Sequence, residues 1–265
     1  MRRDYIFWGA ILILLGGLMF LNAADFRLPG GIRPMQLFWP SVLILLGLWV
    51  IFGYMMRGNV ESEQVSIDLQ GARQASLKLN HGAGRVRLSA GAPAGQLLSG
   101  TFAGGVKHRA HLAGDRLDAH LEANPMIFPP FLSGWQGMEW NINLNREVPL
   151  NLRLETGASQ SELDLRDLMV TDLRVNTGAS KTDLTLPANA GLTTVRVELG
   201  AASLDMLVPQ GVAARIRSES GAASIEIDTA RFPYSNGIYE SPDYSSAQNK
   251  ADIMIQAGAG RVAVR

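Results

Sequence analysis

TGASQSELDL from Thr156, TGASKTDLTL from Thr177, LGAASLDMLV from Leu199 and SGAASIEID from Ser220 are four copies of one short phrase, and their reading decides the fold. Their glycines, Gly157, Gly178, Gly200 and Gly221, recur at intervals of 21, 22 and 21 residues. Two outlying copies, HGAGRVRL around Gly82 and AGAGRVAV around Gly258, bracket the block. A fixed period in this range marks a stacked-repeat architecture. Five residues before each glycine stands an apolar residue: Leu77, Leu152, Leu173, Val195, Ile216 and Ile253. Six residues after it stands another: Leu88, Leu163, Leu184, Met206, Ile227 and Val264. Apolar and polar residues alternate around these anchors, the period-2 pattern of a strand with one face inward. The Gly-Ala step reads as a tight corner in which a residue without Cβ takes a positive φ. Pro187 and Pro209 close the second strand of their copies, because proline cannot donate to a ladder. One rung cannot bury its own apolar face, so the rungs must stack. The fold expected is an all-β repeat, a β-solenoid or β-helix-like roll, with a sandwich of hairpins as the alternative.

The totals narrow the field. A chain of 265 residues is enough for one sizeable domain or two small ones. Lys plus Arg and Asp plus Glu are 24 each, so the formal charge is zero, which argues against a general nucleic-acid binder. With no cysteine, neither a disulfide framework nor a thiolate zinc site is available.

The N-terminal part reads differently. Uncharged runs from Tyr5 to Leu21 and from Pro34 to Met56 are each long enough to cross a bilayer core as a helix. They are copies of one another: FWGAILILLGGL from Phe7 matches FWPSVLILLGLW from Phe38. Residues 1–57 are therefore expected to form a helical transmembrane hairpin with spans of about 5–21 and 35–56. A cleaved signal peptide is the alternative for the first run. Two spans leave both ends on one side. Arg2, Arg3 and Arg57 against Arg27 and Arg33 in the connection favour a cytoplasmic β-domain, by a small margin. Residues 58–64 read as a linker and 65–265 as the β-domain, with irregular insertions near 122–140 and 229–250. Val106 to Leu121 reads as a hairpin turning at Gly114-Asp115.

Chemistry is sparse. His111, Asp118 and His120 would share a face of that hairpin, a geometry thinkable for a metal, although a solvated polar face is the ordinary reading. Glu162, Asp164, Asp183, Asp205 and Glu226 recur after the turns without the Gly- and Asp-rich nonapeptide of calcium-binding rolls, and read as outward charges. Ser159, Ser180 and Ser203 have no histidine beside them in the repeat, so no nucleophile–base pair can be located. GAGRV lacks the glycine spacing of a dinucleotide fingerprint. No catalytic, cofactor-binding or metal residue is assigned, and no cofactor is expected. The best candidates for contact are the apolar residues between Asn124 and Trp140: Ile127, Phe128, Phe131, Leu132, Trp135 and Trp140. They would either cap the open end of the solenoid or touch the bilayer or a partner protein.

The duplicated FW-x-x-x-LILLG runs, the stretch EVPLNLRLETGAS from Glu147 and the ending SPDYSSAQNKADIMIQAGAGRVAV from Ser241 resemble the LiaF-like membrane proteins of bacterial envelope-stress systems and the related toast-rack domains. The resemblance covers nearly the whole chain, and its motifs are mainly structural glycines and apolar positions. It implies a right-handed β-helix-like domain anchored in the bacterial cytoplasmic membrane, without catalysis. It implies as partner a membrane sensor kinase or another membrane protein. The function expected is that of a non-enzymatic scaffold or regulator acting by protein contact. The alternatives are an extracytoplasmic module binding envelope polymer or lipid, and a self-assembling structural solenoid.

Overall fold

The structure, a computed structural model, describes residues 62–123 and 138–265, together with residues 9, 13, 16, 17, 20, 39–44 and 47. The chain falls into two compact units, residues 1–59 with 128–133 and residues 60–127 with 134–265. In the first, the described residues are helical. Among the described residues no helix is long and apolar enough to cross a membrane. The expected spans 5–21 and 35–56 lie largely outside them. Among the described residues of the second unit, every regular element is a β-strand.

Six long strands make the body of that unit: β2 (Gln74–Ala90), β7 (Leu150–Asp164), β8 (Val170–Thr185), β9 (Leu192–Leu207), β10 (Ala213–Ile227) and β13 (Lys250–Val264). Each carries one repeat glycine near its middle. They pair in parallel in the order β2-β7-β8-β9-β13-β10. This is the stack that the 21- and 22-residue period demands, and parallel pairing excludes a sandwich of hairpins. Register is strict. Leu77, Leu152, Leu173, Val195, Ile253 and Ile216 face one another strand by strand and are all at most 1% exposed. Leu88, Leu163, Leu184, Met206 and Val264 form a second buried row, ending on the half-buried Ile227. Each fully buried apolar side chain in such rows stabilises by roughly 1.5–3 kcal/mol.

The corner is visible as a change of phase. In β7 the buried positions are Leu150, Leu152, Leu154 and Thr156 before the glycine, and Ser159, Ser161 and Leu163 after it. Even positions face inward, then odd ones. One residue is taken up by the bend, and both halves still cover the same core.

The repeat glycines need correction on one point. None of the six has a positive φ; that conformation falls instead on Gly84 and Gly260, the second glycine of each GAGRV copy. Beyond Gly82, which has open space beside it, the reason for the repeat glycines is close approach. A Cβ on Gly157 would lie 2.5 Å from the Gly82 carbonyl oxygen. Gly178 would meet Gly157, Gly200 would meet Gly178 and Gly258 would meet Gly200, at 2.9, 2.9 and 2.7 Å. Real Cβ atoms do not come that near backbone. A ladder of glycines lets the bends nest.

Chain order and stacking order part at the C-terminus. β13, the last strand, is inserted between β9 and β10. The copy around Gly258 is therefore interior, and the copy around Gly221 lies at the end of the stack. The detour 228–249 that makes this possible contains β11 (Tyr234–Ser235) and β12 (Ile238–Glu240). It covers the leading half of β10 by pairing at Arg215 and Ile216, with Phe232 and Tyr244 buried beneath.

The other end is closed by shorter strands. β3 (Gln96–Ala103), β4 (Val106–Ala113), β5 (Arg116–Ala123) and β6 (Glu139–Leu144) lie between the Gly82 and Gly157 copies. The leading half of β2 pairs with β5, which pairs with β4; the trailing half pairs with β6 and then β3. β1 (Ser62–Asp68) is antiparallel to β3, so residues 62–64, read as linker, already belong to the sheet. The β4–β5 hairpin turns at Gly114-Asp115 as expected, with φ of 64° at Gly114.

Candidate functional site

Five of the six aromatic and apolar contact candidates, Ile127, Phe128, Phe131, Leu132 and Trp135, lie outside the described residues. Trp140 does not belong with them. It is 1% exposed, edge-on to Phe102 at 5.1 Å and against the His81 ring at 4.7 Å. Alternation in β6 turns it inward, so it is a core residue and not a contact residue.

His81 is the buried polar group of that cluster. It is 1% exposed, and neither ring nitrogen has a hydrogen-bond partner. Burial pushes its pKa from 6.5 down to about 4, so the ring is neutral at pH 7. It fills the position that Thr156, Thr177, Leu199 and Ala257 hold on the other strands.

His111 does face Asp118 across the β4–β5 hairpin, and His120 stands two residues further along β5. Asp118 accepts from Arg116 Nε at 3.0 Å. Among the described residues no three are grouped so as to hold a metal ion. Glu162, Asp183 and Asp205 are register partners on the trailing halves, beside a groove of about 320 Å³ that also touches Asp164 and Arg265. Glu162 pairs with Arg87 at 3.4 Å, Asp183 with Lys181 at 3.6 Å and Glu226 with Arg261 at 2.7 Å. Ser159 and Ser180 donate to Thr156 and Thr177 at 2.9 and 2.8 Å, stapling the bend of their own strand.

The most ordered chemistry lies on the outer face of the leading halves, four residues before each glycine. There Lys78, Arg153, Arg174, Arg196, Met254 and Arg217 are successive register partners. The row continues through His120 to Arg109 on the hairpin. Strands lie about 4.8 Å apart, so the eight positions span roughly 34 Å in a line. Two neighbouring rows run alongside. One carries Glu122, Asn80, Glu155, Asn176, Glu198, Gln256 and Glu219; the other carries Asp118, Ser76, Asn151, Asp172, Thr194, Asp252 and Arg215. Lys78 and Arg153 share Glu155 at 3.2 and 2.7 Å, Arg174 meets Asp172 at 3.1 Å and Arg217 meets Asp252 at 3.4 Å. Burial works to raise the Glu155 carboxyl, but Lys78 and then Arg153 outweigh it and hold it below its ordinary value. Arg196 and Arg109 are exposed and form no ion pair among the described residues. The sequence reading missed this row, although a basic residue recurs at the same place in five of the six copies.

A family model described as the N-terminal domain of toast_rack, DUF2154, matches residues 56–207. Among solved structures, a candidate cell adhesion protein from Clostridium sporogenes is similar at 21% identity and a TM-score of 0.70. The match covers 77% of this chain and 99% of that one. A candidate adhesin from Bacteroides fragilis follows at 6% identity and a TM-score of 0.30, covering 77% of this chain and 97% of that one. At such identities the likeness to the first concerns the fold alone. Among curated proteins none matches the chain.

Proposed function

We propose, from the premise that this chain belongs to the toast_rack N-terminal domain family (DUF2154), that it is a non-enzymatic interaction protein. In this reading it is anchored in the bacterial cytoplasmic membrane and serves as a scaffold or regulator of the response to cell-envelope stress. The observation that carries it is the in-register stack. Six bent strands set register partners in rows on their outer faces, among them the basic run Lys78, Arg153, Arg174 and Arg196, a surface suited to contact. Membrane anchoring draws support from the helical residues Ile13, Phe20, Trp39, Leu43 and Ile44, which are 62–78% exposed although apolar. A right-handed, β-helix-like winding belongs to the same proposal, as does a sensor kinase or another membrane protein as partner.

The test is a transcriptional reporter of the cell-wall antibiotic response in cells with and without the chain. The expected result is a changed basal level or threshold in its absence, restored by the full chain. An unchanged response across a series of cell-wall antibiotics overturns the regulatory reading. A chain lacking 124–137 that restores the response fully removes that segment from the contact.

A further inference from the structure

We propose that the cationic row on the leading halves binds a linear phosphodiester polyanion without bases, such as a polyol phosphate chain, laid along the stack axis across the strands. This goes beyond the regulatory reading and does not rest on it. Lys78, Arg153, Arg174 and Arg196 occupy four consecutive strands, and Arg109 and Arg217 extend the row at either end. Like charges directly opposite one another in a sheet are destabilising. The fold gains nothing from four aligned cations at about 4.8 Å intervals that alternating signs would not supply better. A ligand that repeats a negative charge along a line gives the alignment a use.

The ion pairs that offset the repulsion leave the row accessible. The side chains of Lys78, Arg153, Arg174 and Arg217 are 39–46% exposed. Exposed pairs of this kind contribute about 0–1 kcal/mol each, so phosphate oxygens can replace their carboxylates. Arg196 and Arg109 need no such exchange.

The flanking rows decide the shape of the ligand. Two residues along a strand are about 7 Å, so Glu155, Glu198 and Glu219 on one side and Asp172 and Asp252 on the other border a narrow lane. A broad anionic surface such as a bilayer would press against both acidic borders. A single thin chain in the lane avoids them. The three rows on the six long strands carry no aromatic side chain, so they offer no stacking platform for the bases of a single-stranded nucleic acid. Because the whole chain has no net charge, attraction is short-ranged and strongly dependent on salt.

The experiment is titration of the full chain, in uncharged detergent, with labelled poly(glycerol phosphate) at several salt concentrations. The expected result is binding that weakens steeply with salt. Arg174→Gln with Arg196→Gln lowers affinity on the order of tenfold at fixed salt and reduces the salt slope by about two. Lys181→Gln with Arg261→Gln, on the trailing halves, leaves both unchanged. Glu155→Gln with Glu198→Gln removes part of the acidic border and strengthens binding, a readout in the opposite direction that a misfolded variant cannot imitate. No salt-dependent binding overturns the proposal. So does an equal loss in both arginine-containing double variants. Binding of an oligothymidylate or of anionic vesicles as tight as that of the polymer overturns it as well.

Discussion

His81 and the nested glycines Gly157, Gly178, Gly200 and Gly258 are residues at which the fold is exposed to a single change. His81 sits neutral among Trp140 and the first bend, with its native pKa near 4. The unfolded chain titrates near 6.5, so between those values it binds a proton that the native state does not. Stability from this group is fully present above pH 6.5 and is lost as pH falls towards 4, by about 3 kcal/mol in all. His81→Phe is expected to remove that part of the acid dependence, seen as a flatter melting temperature between pH 6.5 and 4. A slope unchanged by the substitution would assign the loss to other groups. The glycines make a paired prediction. Gly178→Ala forces a Cβ to 2.9 Å from the Gly157 carbonyl oxygen and is expected to destabilise by roughly 2–4 kcal/mol. Gly82→Ala meets nothing within 4 Å and is expected to change stability by less than about 1 kcal/mol. Chemical denaturation of the two variants reads the difference directly, and equal losses would refute the nesting argument. That glycine was needed at these places was legible in the repeat. Its reason was not, because positive φ is a property of one residue, whereas close approach involves a strand some twenty residues or more away.

At the scale of elements, β13 is the informative strand. Its sequence copies the Gly82 rung, and position in the chain makes it look like the terminal one. The structure lays it between β9 and β10, in register with both over its whole length. Nothing in the period announces this, since a rung with its apolar anchors in place fits any slot in the stack. The signal that existed was compositional. Where the other rungs place Leu79, Leu154, Val175, Val197 and Ile255 inward, β10 has the half-exposed Ser218, as suits a strand with no rung beyond it. Truncation before Lys250 should therefore behave as removal of an interior element. It unpairs β9 and β10 together and is expected to abolish cooperative unfolding of the C-terminal half, read by limited proteolysis and melting. Loss of β10 alone with a stable, protected remainder would mean that β13 is a peripheral rung after all. The strands from β3 to β6 were partly legible. The β4–β5 hairpin followed from Gly114-Asp115, but the splitting of the β2 edge into two half-edges depends on tertiary pairing that no local pattern encodes.

For the whole molecule, the proposed anchoring sets the β-stack on one side of a membrane, and the two proposed contacts give that side its meaning. The regulatory reading needs the stack where a partner's signalling part can reach it. The cationic lane needs a compartment that holds a base-free phosphodiester chain. A reporter fused after Arg265, active only inside or only outside the cytoplasm, separates them. The arginine count around the expected spans, three against two, predicts a cytoplasmic C-terminus by a narrow margin. A cytoplasmic signal keeps a kinase or another cytosolic contact within reach of the stack, and places the polyanion among cytosolic polymers. An external signal removes the cytosolic contact. It favours envelope polymer at the lane formed by Lys78, Arg153, Arg174 and Arg196 and directs attention to a cleaved first segment instead of a first span. In either compartment the row stays fixed to the rigid stack, so Arg174→Gln with Arg196→Gln should alter polymer binding without altering the topology signal, whereas moving Arg57 to the connection should invert the topology signal without touching the polymer affinity of the purified chain.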